Sequence, residues 1–177
     1  MKIGISGKMF SGKDVIADYL CENHNFSKVL LAKELKRVAM SAFNCTYEEV
    51  YETKPNNVRK CLQELGRAGR SYDENIWVNL ALSEIESNKI MYPNKSSVVS
   101  DVRYINEVTK LKEEGFILIR VVRPNILRQK HGTLSNDDSE TELDNYDEFT
   151  YTIINDTTKE DLYKKIDNIM KELTTNK

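Results

Sequence analysis

Residues 7–14, Gly7-Lys8-Met9-Phe10-Ser11-Gly12-Lys13-Asp14, decide how this chain is read. They follow a short apolar run, Met1-Lys2-Ile3-Gly4-Ile5-Ser6, and precede a stretch in which Val15, Ile16, Tyr19 and Leu20 recur at helical spacing. A strand, a glycine-bearing turn and a helix, in that order, are the context that the GxxxxGK pattern requires. Glycines let backbone N–H groups turn inward around phosphate oxygens, and the first turn of the helix adds the positive end of its dipole. Lys13 supplies a point charge for the β- and γ-phosphates, and Gly7, Lys8, Ser11 and Gly12 make the cradle. Asp14 stands where Ser or Thr is usual. A carboxylate there is a hard oxygen ligand for Mg²⁺, direct or through water.

Outward from this stretch, apolar runs alternate with helical patterns. Strands are expected at 3–6, 26–31, 98–102, 116–122 and 151–154, and helices at 35–43, 56–89 and 106–114. A closing helix carries Leu162, Ile166, Ile169, Met170 and Leu173 on one face. Gly66 and Gly69 are expected to break the long helical stretch, since each glycine costs up to about 1 kcal/mol in a helix interior. Strands alternating with helices mean a parallel sheet covered on both faces, so the fold class is α/β, three-layered, with about five strands. Ligands in such sheets sit beyond the carboxyl ends of the strands. The whole chain, 1–177, is expected to be one domain with two insertions: a helical acceptor-binding region at 45–90 and a polar lid at 124–148.

Composition bounds the partners. Hydrophobic residues make up 40% of the 177 residues and charged residues 31%, which is globular rather than disordered. Lys+Arg number 26 against Asp+Glu 28, so a net charge of −2 gives no bulk attraction to a nucleic acid duplex or an anionic membrane. Any anion is held by locally placed bases. Cys21, Cys45 and Cys61 are scattered without a CxxC pair, which argues against a zinc site or a disulfide framework. No run approaches the roughly 18 apolar residues of a membrane span. Reduced thiols in a cytoplasmic compartment (the host's, if the source is viral) are the expectation, with self-association into a homodimer left open.

Four further stretches accompany the loop: Ala32-Lys33-Glu34-Leu35-Lys36; Arg59-Lys60-Cys61-Leu62-Gln63-Glu64-Leu65-Gly66 with Arg70 and Trp77; Ser100-Asp101-Val102-Arg103-Tyr104-Ile105-Asn106-Glu107; and Ser139-Glu140-Thr141-Glu142-Leu143-Asp144. Together they resemble the bacteriophage-type deoxynucleoside monophosphate kinase family of P-loop kinases, over residues 1–162. The resemblance implies transfer of the γ-phosphoryl group of ATP, with Mg²⁺, to a (deoxy)nucleoside 5′-monophosphate. The chain departs from it at Arg67-Ala68, where Thr-Glu is expected, which leaves the base preference open.

Phosphoryl transfer asks a protein mainly for positioning and charge neutralisation. Arg59, Gln63, Arg67 and Arg70 fall within an arc of about 80° if their helix is continuous. Arg59 and Arg70 are read as gripping the acceptor phosphate, and Gln63 as reading the base edge through its paired donor and acceptor. The alternative is a solvated basic face. Asp101 is expected to hold Mg²⁺ or orient the attacking oxygen, and Arg103 to bridge the two substrates' phosphates. Lys36 is a weaker candidate for the acceptor phosphate. Trp77 is either a base platform or part of an apolar helix stripe. Arg123 and Arg128 flank the lid, and Arg128 is the better placed to deliver a cation to the transition state. Asn155 follows the last strand and is assigned to the ATP side, where it otherwise caps the closing helix. Competing readings are a dephospho-coenzyme A or phosphomevalonate-type kinase, and a non-catalytic ATP-binding module.

Overall fold

The computed structural model describes residues 1–124 and 141–175. Five strands, β1 (Lys2–Ser6), β2 (Phe26–Val29), β3 (Ser96–Val102), β4 (Ile117–Val122) and β5 (Tyr151–Ile154), form one sheet in the order β2-β3-β1-β4-β5. β1 runs parallel to both β3 and β4, and β4 parallel to β5. The described helices are α1 (Lys13–Asn23), α2 (Lys33–Phe43), α3 (Asn56–Tyr72), α4 (Ile76–Met91), α5 (Ile105–Glu113) and α6 (Lys159–Thr175). Those between β1 and β4 supply the crossovers that parallel neighbours require, and α6 follows the last strand. A π-helical turn at Glu49–Thr53, which the sequence pattern did not announce, precedes α3.

The chain divides into two compact units, Met1–Lys28 with Lys95–Lys177, and Val29–Asn94. The first holds the sheet's main core. Ile3 and Ile5 of β1, Ile16 and Leu20 of α1, Ile119 of β4 and Ile166 of α6 are all fully buried there. β1 is central and reads as a short continuous apolar run because both of its faces are covered. Asp167 of α6 fastens α1 at its solvent edge, accepting hydrogen bonds from the Tyr19 hydroxyl at 3.1 and 3.0 Å and lying 2.8 Å from His24 Nε2.

In the second unit Leu35, Ala39, Val58, Val78, Ala81 and Ile85 are buried among α2, α3 and α4. Here one expectation fails. α3 continues unbroken through Gly66 and Gly69, and the chain turns only after Tyr72. The glycines are surfaces rather than breaks. The Trp77 indole lies on Gly69, where a Cβ would enter the ring, and its Nε1–H donates to the Gly66 carbonyl at 3.1 Å. Close packing of an indole and a satisfied donor outweigh the propensity cost of two glycines. Other boundaries differ by only a few residues: β2 stops at Val29 rather than 31, and α2 starts at Lys33 rather than 35.

Candidate active site

Register places Ser6 of β1 beside Val102 of β3 and Arg120 of β4, so three carboxyl ends converge where residues 7–13 begin. The loop owes its shape to two glycines. At Gly7 a Cβ would lie 2.7 Å from the Val121 carbonyl oxygen and closer still to Ser11 Oγ, so only glycine lets the loop leave the sheet there. At Gly12 φ is +102°, and a Cβ would also meet Asn155 Nδ2 at 2.6 Å. Phe10 adopts φ +62° with its ring more than half exposed, a left-handed conformation that costs a bulky residue on the order of 1–2 kcal/mol. Strain held in this way gathers at functional loops.

From Gly12 the chain enters α1, whose first residue, Lys13, is buried to 6% exposure. Ser11 Oγ is buried without a hydrogen-bond partner. An unsatisfied hydroxyl inside a loop costs about 1–3 kcal/mol, which a bound acceptor such as a phosphate oxygen would recover. Asn155, at the end of β5, holds the loop from below: its Nδ2 donates to the Ser11 carbonyl at 2.8 Å, and its own N–H donates to Val122 O at 2.7 Å. Arg123 Nη1 reaches the Phe10 carbonyl at 3.4 Å.

Asp14, the residue after Lys13, accepts from the Ser100 hydroxyl at 2.9 Å and lies 3.4 Å from Lys28 Nζ and 3.7 Å from Lys13 Nζ. Partial burial disfavours its charged form, but Lys13, Lys28 and the Ser100 hydroxyl together prevail and hold the carboxyl below the ordinary aspartate range. It is therefore an anion at neutral pH. The described residues contain no group of three or more side chains that would cage a metal. The Asp14 carboxylate is a hard oxygen donor of the kind Mg²⁺ takes, one or two carboxylates being usual with phosphates and water completing the shell.

Ser6, Gly7, Lys8, Val102, Arg103, Arg120 and Leu143 line a small cleft beside the loop. Arg103 is fixed at its backbone, where its N–H and that of Tyr104 donate to Glu107 Oε2 at 2.7 and 3.0 Å. Glu107 is almost fully buried, and burial pushes its carboxyl up to about 7 despite those two amides. The next amide of α5, that of Ile105, donates to Glu142 at 2.8 Å. Arg120 was not singled out from the sequence. Its Nη1 donates to Ser6 Oγ at 2.8 Å and its guanidinium lies 5.5 Å from the Phe149 ring centre. A charged residue inside the apolar run Ile117-Leu118-Ile119-Arg120-Val121-Val122 was the available signal.

The second unit carries the remaining candidates. Because α3 is continuous, Arg59, Gln63, Arg67 and Arg70 do share one arc. Arg59, Gln63 and Arg70 are half-buried, whereas Arg67 is exposed and pairs with Glu64 at 3.6 Å. Lys36 places its ammonium 4.2 Å over the Tyr51 ring, itself stacked on Tyr47 at 4.5 Å. Trp77 packs as described above, on Gly69 and against the Gly66 carbonyl, and stays partly exposed. Arg128 lies outside the described residues.

The loop, the strand order and the flanking helices define the fold of the P-loop kinases. In solved structures the chain resembles shikimate kinase from Aquifex aeolicus (TM-score 0.56, 15% identity, all of both chains) and shikimate kinase from Acinetobacter baumannii in complex with shikimate (0.51, 15%, 99% of this chain and 94% of that one). In sequence it is similar to a protein of Acanthamoeba polyphaga mimivirus described as "Putative deoxynucleotide monophosphate kinase", 29% identical over 93% of each chain. It is also similar to the uncharacterized protein ORF76 of Ictalurid herpesvirus 1, at 28% identity over 82% of this chain and 57% of that one. No family model matches. The chain thus resembles deoxynucleotide monophosphate kinases in sequence and P-loop kinases in fold. Among the described residues no helix is long and apolar enough to cross a membrane.

Proposed function

We propose that the protein transfers the γ-phosphoryl group of ATP to a (deoxy)nucleoside 5′-monophosphate, giving the diphosphate and ADP. The observation that carries this reading is the strained loop at residues 7–13, with Lys13 buried at the start of α1 and an unsatisfied Ser11 hydroxyl within it. The whole-length similarity to the mimivirus protein supports the choice of acceptor.

In this reading Gly7, Lys8, Ser11 and Gly12 cradle the triphosphate, and Lys13 stabilises charge on its outer phosphates. Asp14 and Asp101 would hold Mg²⁺, which when bound would neutralise charge on the phosphate oxygens. Arg123 and Asn155 keep the loop in shape on the ATP side. Arg103 and Arg120 present donors to phosphate at the strand ends. Lys36, Arg59, Arg67 and Arg70 are assigned to the acceptor phosphate, and Gln63 to the base edge. Arg128 is assigned to the transition-state charge. An amide on the acceptor helix favours a base-bearing substrate, since an isoprenoid acceptor offers no edge for Gln63 to read.

The test is ADP release from Mg·ATP against a panel of ribo- and deoxynucleoside monophosphates, with dephospho-coenzyme A and phosphomevalonate as controls. Turnover that depends on a nucleoside monophosphate is expected. Turnover only with a control acceptor, or binding of ATP without turnover on any acceptor, overturns the reading.

A further inference from the structure

Lys8 and Arg120 line the cleft beside the phosphate loop, and one carboxylate touches both. Asp144 Oδ2 lies 2.5 Å from Lys8 Nζ, and its Oδ1 lies 3.6 Å from Arg120 Nη2. Asp144 is not itself among the residues that line the cleft. Its segment is well anchored: Leu143 is buried to 3% exposure, Glu142 accepts from Ile105 N–H, and Asp144 N–H donates to the Thr141 carbonyl at 2.9 Å.

We propose that Asp144 is a positioning residue, which sets the Lys8 ammonium and the Arg120 guanidinium as a fixed two-cation wall for a phosphate group entering the cleft. This rests on the phosphate-handling reading of the site given above. Two effects of the carboxylate oppose each other. Its charge repels an incoming anion, and its contacts hold the cations in place. The carboxylate is more than a third exposed, so solvent screens the repulsion. The ordering acts through a direct contact, where screening is weakest. Lys8 sits on a loop at the end of a flexible four-carbon stem, and Asp144 is the partner that fixes its head. Arg120 is also held by Ser6 and the Phe149 ring, so Lys8 is the cation that Asp144 governs more strongly. Pre-organised charge binds more tightly than charge that must be ordered on binding.

The experiment measures the affinity for inorganic phosphate by titration calorimetry in the wild type, Asp144→Asn, Asp144→Glu, Lys8→Met and the Lys8→Met/Asp144→Asn pair. Expected are a loss of about fivefold or more in Asp144→Asn, recovery to within about twofold in Asp144→Glu, and a smaller effect of Asp144→Asn, through Arg120 alone, once Lys8 is gone. Unchanged or tighter binding in Asp144→Asn overturns the proposal, as does equal loss in Asn and Glu variants, or a wild type that binds no phosphate. Should Asp144→Asn not fold, Lys8→Met carries the test alone, and unchanged phosphate affinity in it is the overturning result. Acceptor-dependent turnover with unaltered phosphate affinity in Asp144→Asn would leave the kinase reading standing and this one lost. Weakened phosphate binding in an enzyme without nucleoside monophosphate turnover would do the reverse.

Discussion

Asn155 and Ser11 are 144 residues apart in the chain and are joined by one buried hydrogen bond of 2.8 Å, from the Asn155 side-chain amide to the Ser11 carbonyl. The last strand of the sheet thereby fixes the carbonyl preceding Gly12, the residue at which the loop turns into α1. Asn155→Ala leaves that carbonyl unpaired in a buried place, and a loss of about 1–3 kcal/mol of stability is expected. Denaturant melts read the stability, and ATP titration should show weaker binding than any effect on the acceptor.

Lys13 is buried at the first position of α1, with its ammonium 3.7 Å from the Asp14 carboxylate. Lys13→Ala should keep the fold and lower acceptor-dependent turnover by at least about a hundredfold, the scale of losing one well-placed electrostatic group. Steady-state rates and a circular dichroism spectrum check both halves. Near-normal turnover would remove Lys13 from the chemistry.

Gln63→Ala should alter the ranking of acceptor monophosphates more than it alters ATP affinity. Relative kcat/KM values over the same panel of acceptors measure this, and an unchanged ranking counts against base reading by α3.

Gly69→Ala separates propensity from packing. Helix propensity alone makes alanine better by up to about 1 kcal/mol in the middle of α3. The Trp77 ring already occupies the place of a Cβ, so overpacking should win and destabilise the protein by about 1–3 kcal/mol. Thermal unfolding gives the sign directly, with Trp77 fluorescence reporting displacement of the indole.

Glu107 gives a pH dependence of unusual sign. Burial raises its carboxyl from the ordinary 4.5 to about 7 in the folded protein, whereas the unfolded chain ionises it near the ordinary value. Between these the unfolded state binds fewer protons, so stability falls as pH rises through that window and levels off above it, by on the order of 3 kcal/mol. Glu107→Gln keeps an oxygen for the Arg103 and Tyr104 amides and removes the charge. The stability of the variant relative to wild type should therefore climb from pH 5 to 7.5 in paired denaturant melts. A difference that does not change with pH would place the ionisation elsewhere.

The architecture was legible because each strand and helix carries its own period and because the loop pattern sits between the first two. Residues 7–14 declared a turn between a strand and a helix, and the arc of Arg59, Gln63, Arg67 and Arg70 followed from spacing alone. Partnerships across the chain were not legible. Nothing local to Gly69 shows that an indole eight residues on will rest against it, so its glycine looked like a helix breaker. Arg120 looked like the interior of a strand, and its contacts, Ser6 and Asp144, are set by sheet register and by a returning segment. Ser100 gave no signal either, although its hydroxyl reaches Asp14 across 86 positions. Long-range contacts of this kind follow from topology, which a periodicity records only indirectly.

The unit that contains the loop is interrupted: Met1–Lys28 belongs with Lys95–Lys177. On a ribosome, β1 therefore emerges first and yet must wait for β3 and β4, its two lateral neighbours, which are encoded from residue 96 onward. Until translation passes that point, its isoleucines have α1 but no lateral strand to pack with, and closing so wide a chain interval slows the search for the native pairing. The stretch between, Val29–Asn94, is a compact unit of its own and is free to assemble during the wait. Nascent chains halted before β3 should thus hold ordered helices and an unpaired, chaperone-accessible amino terminus.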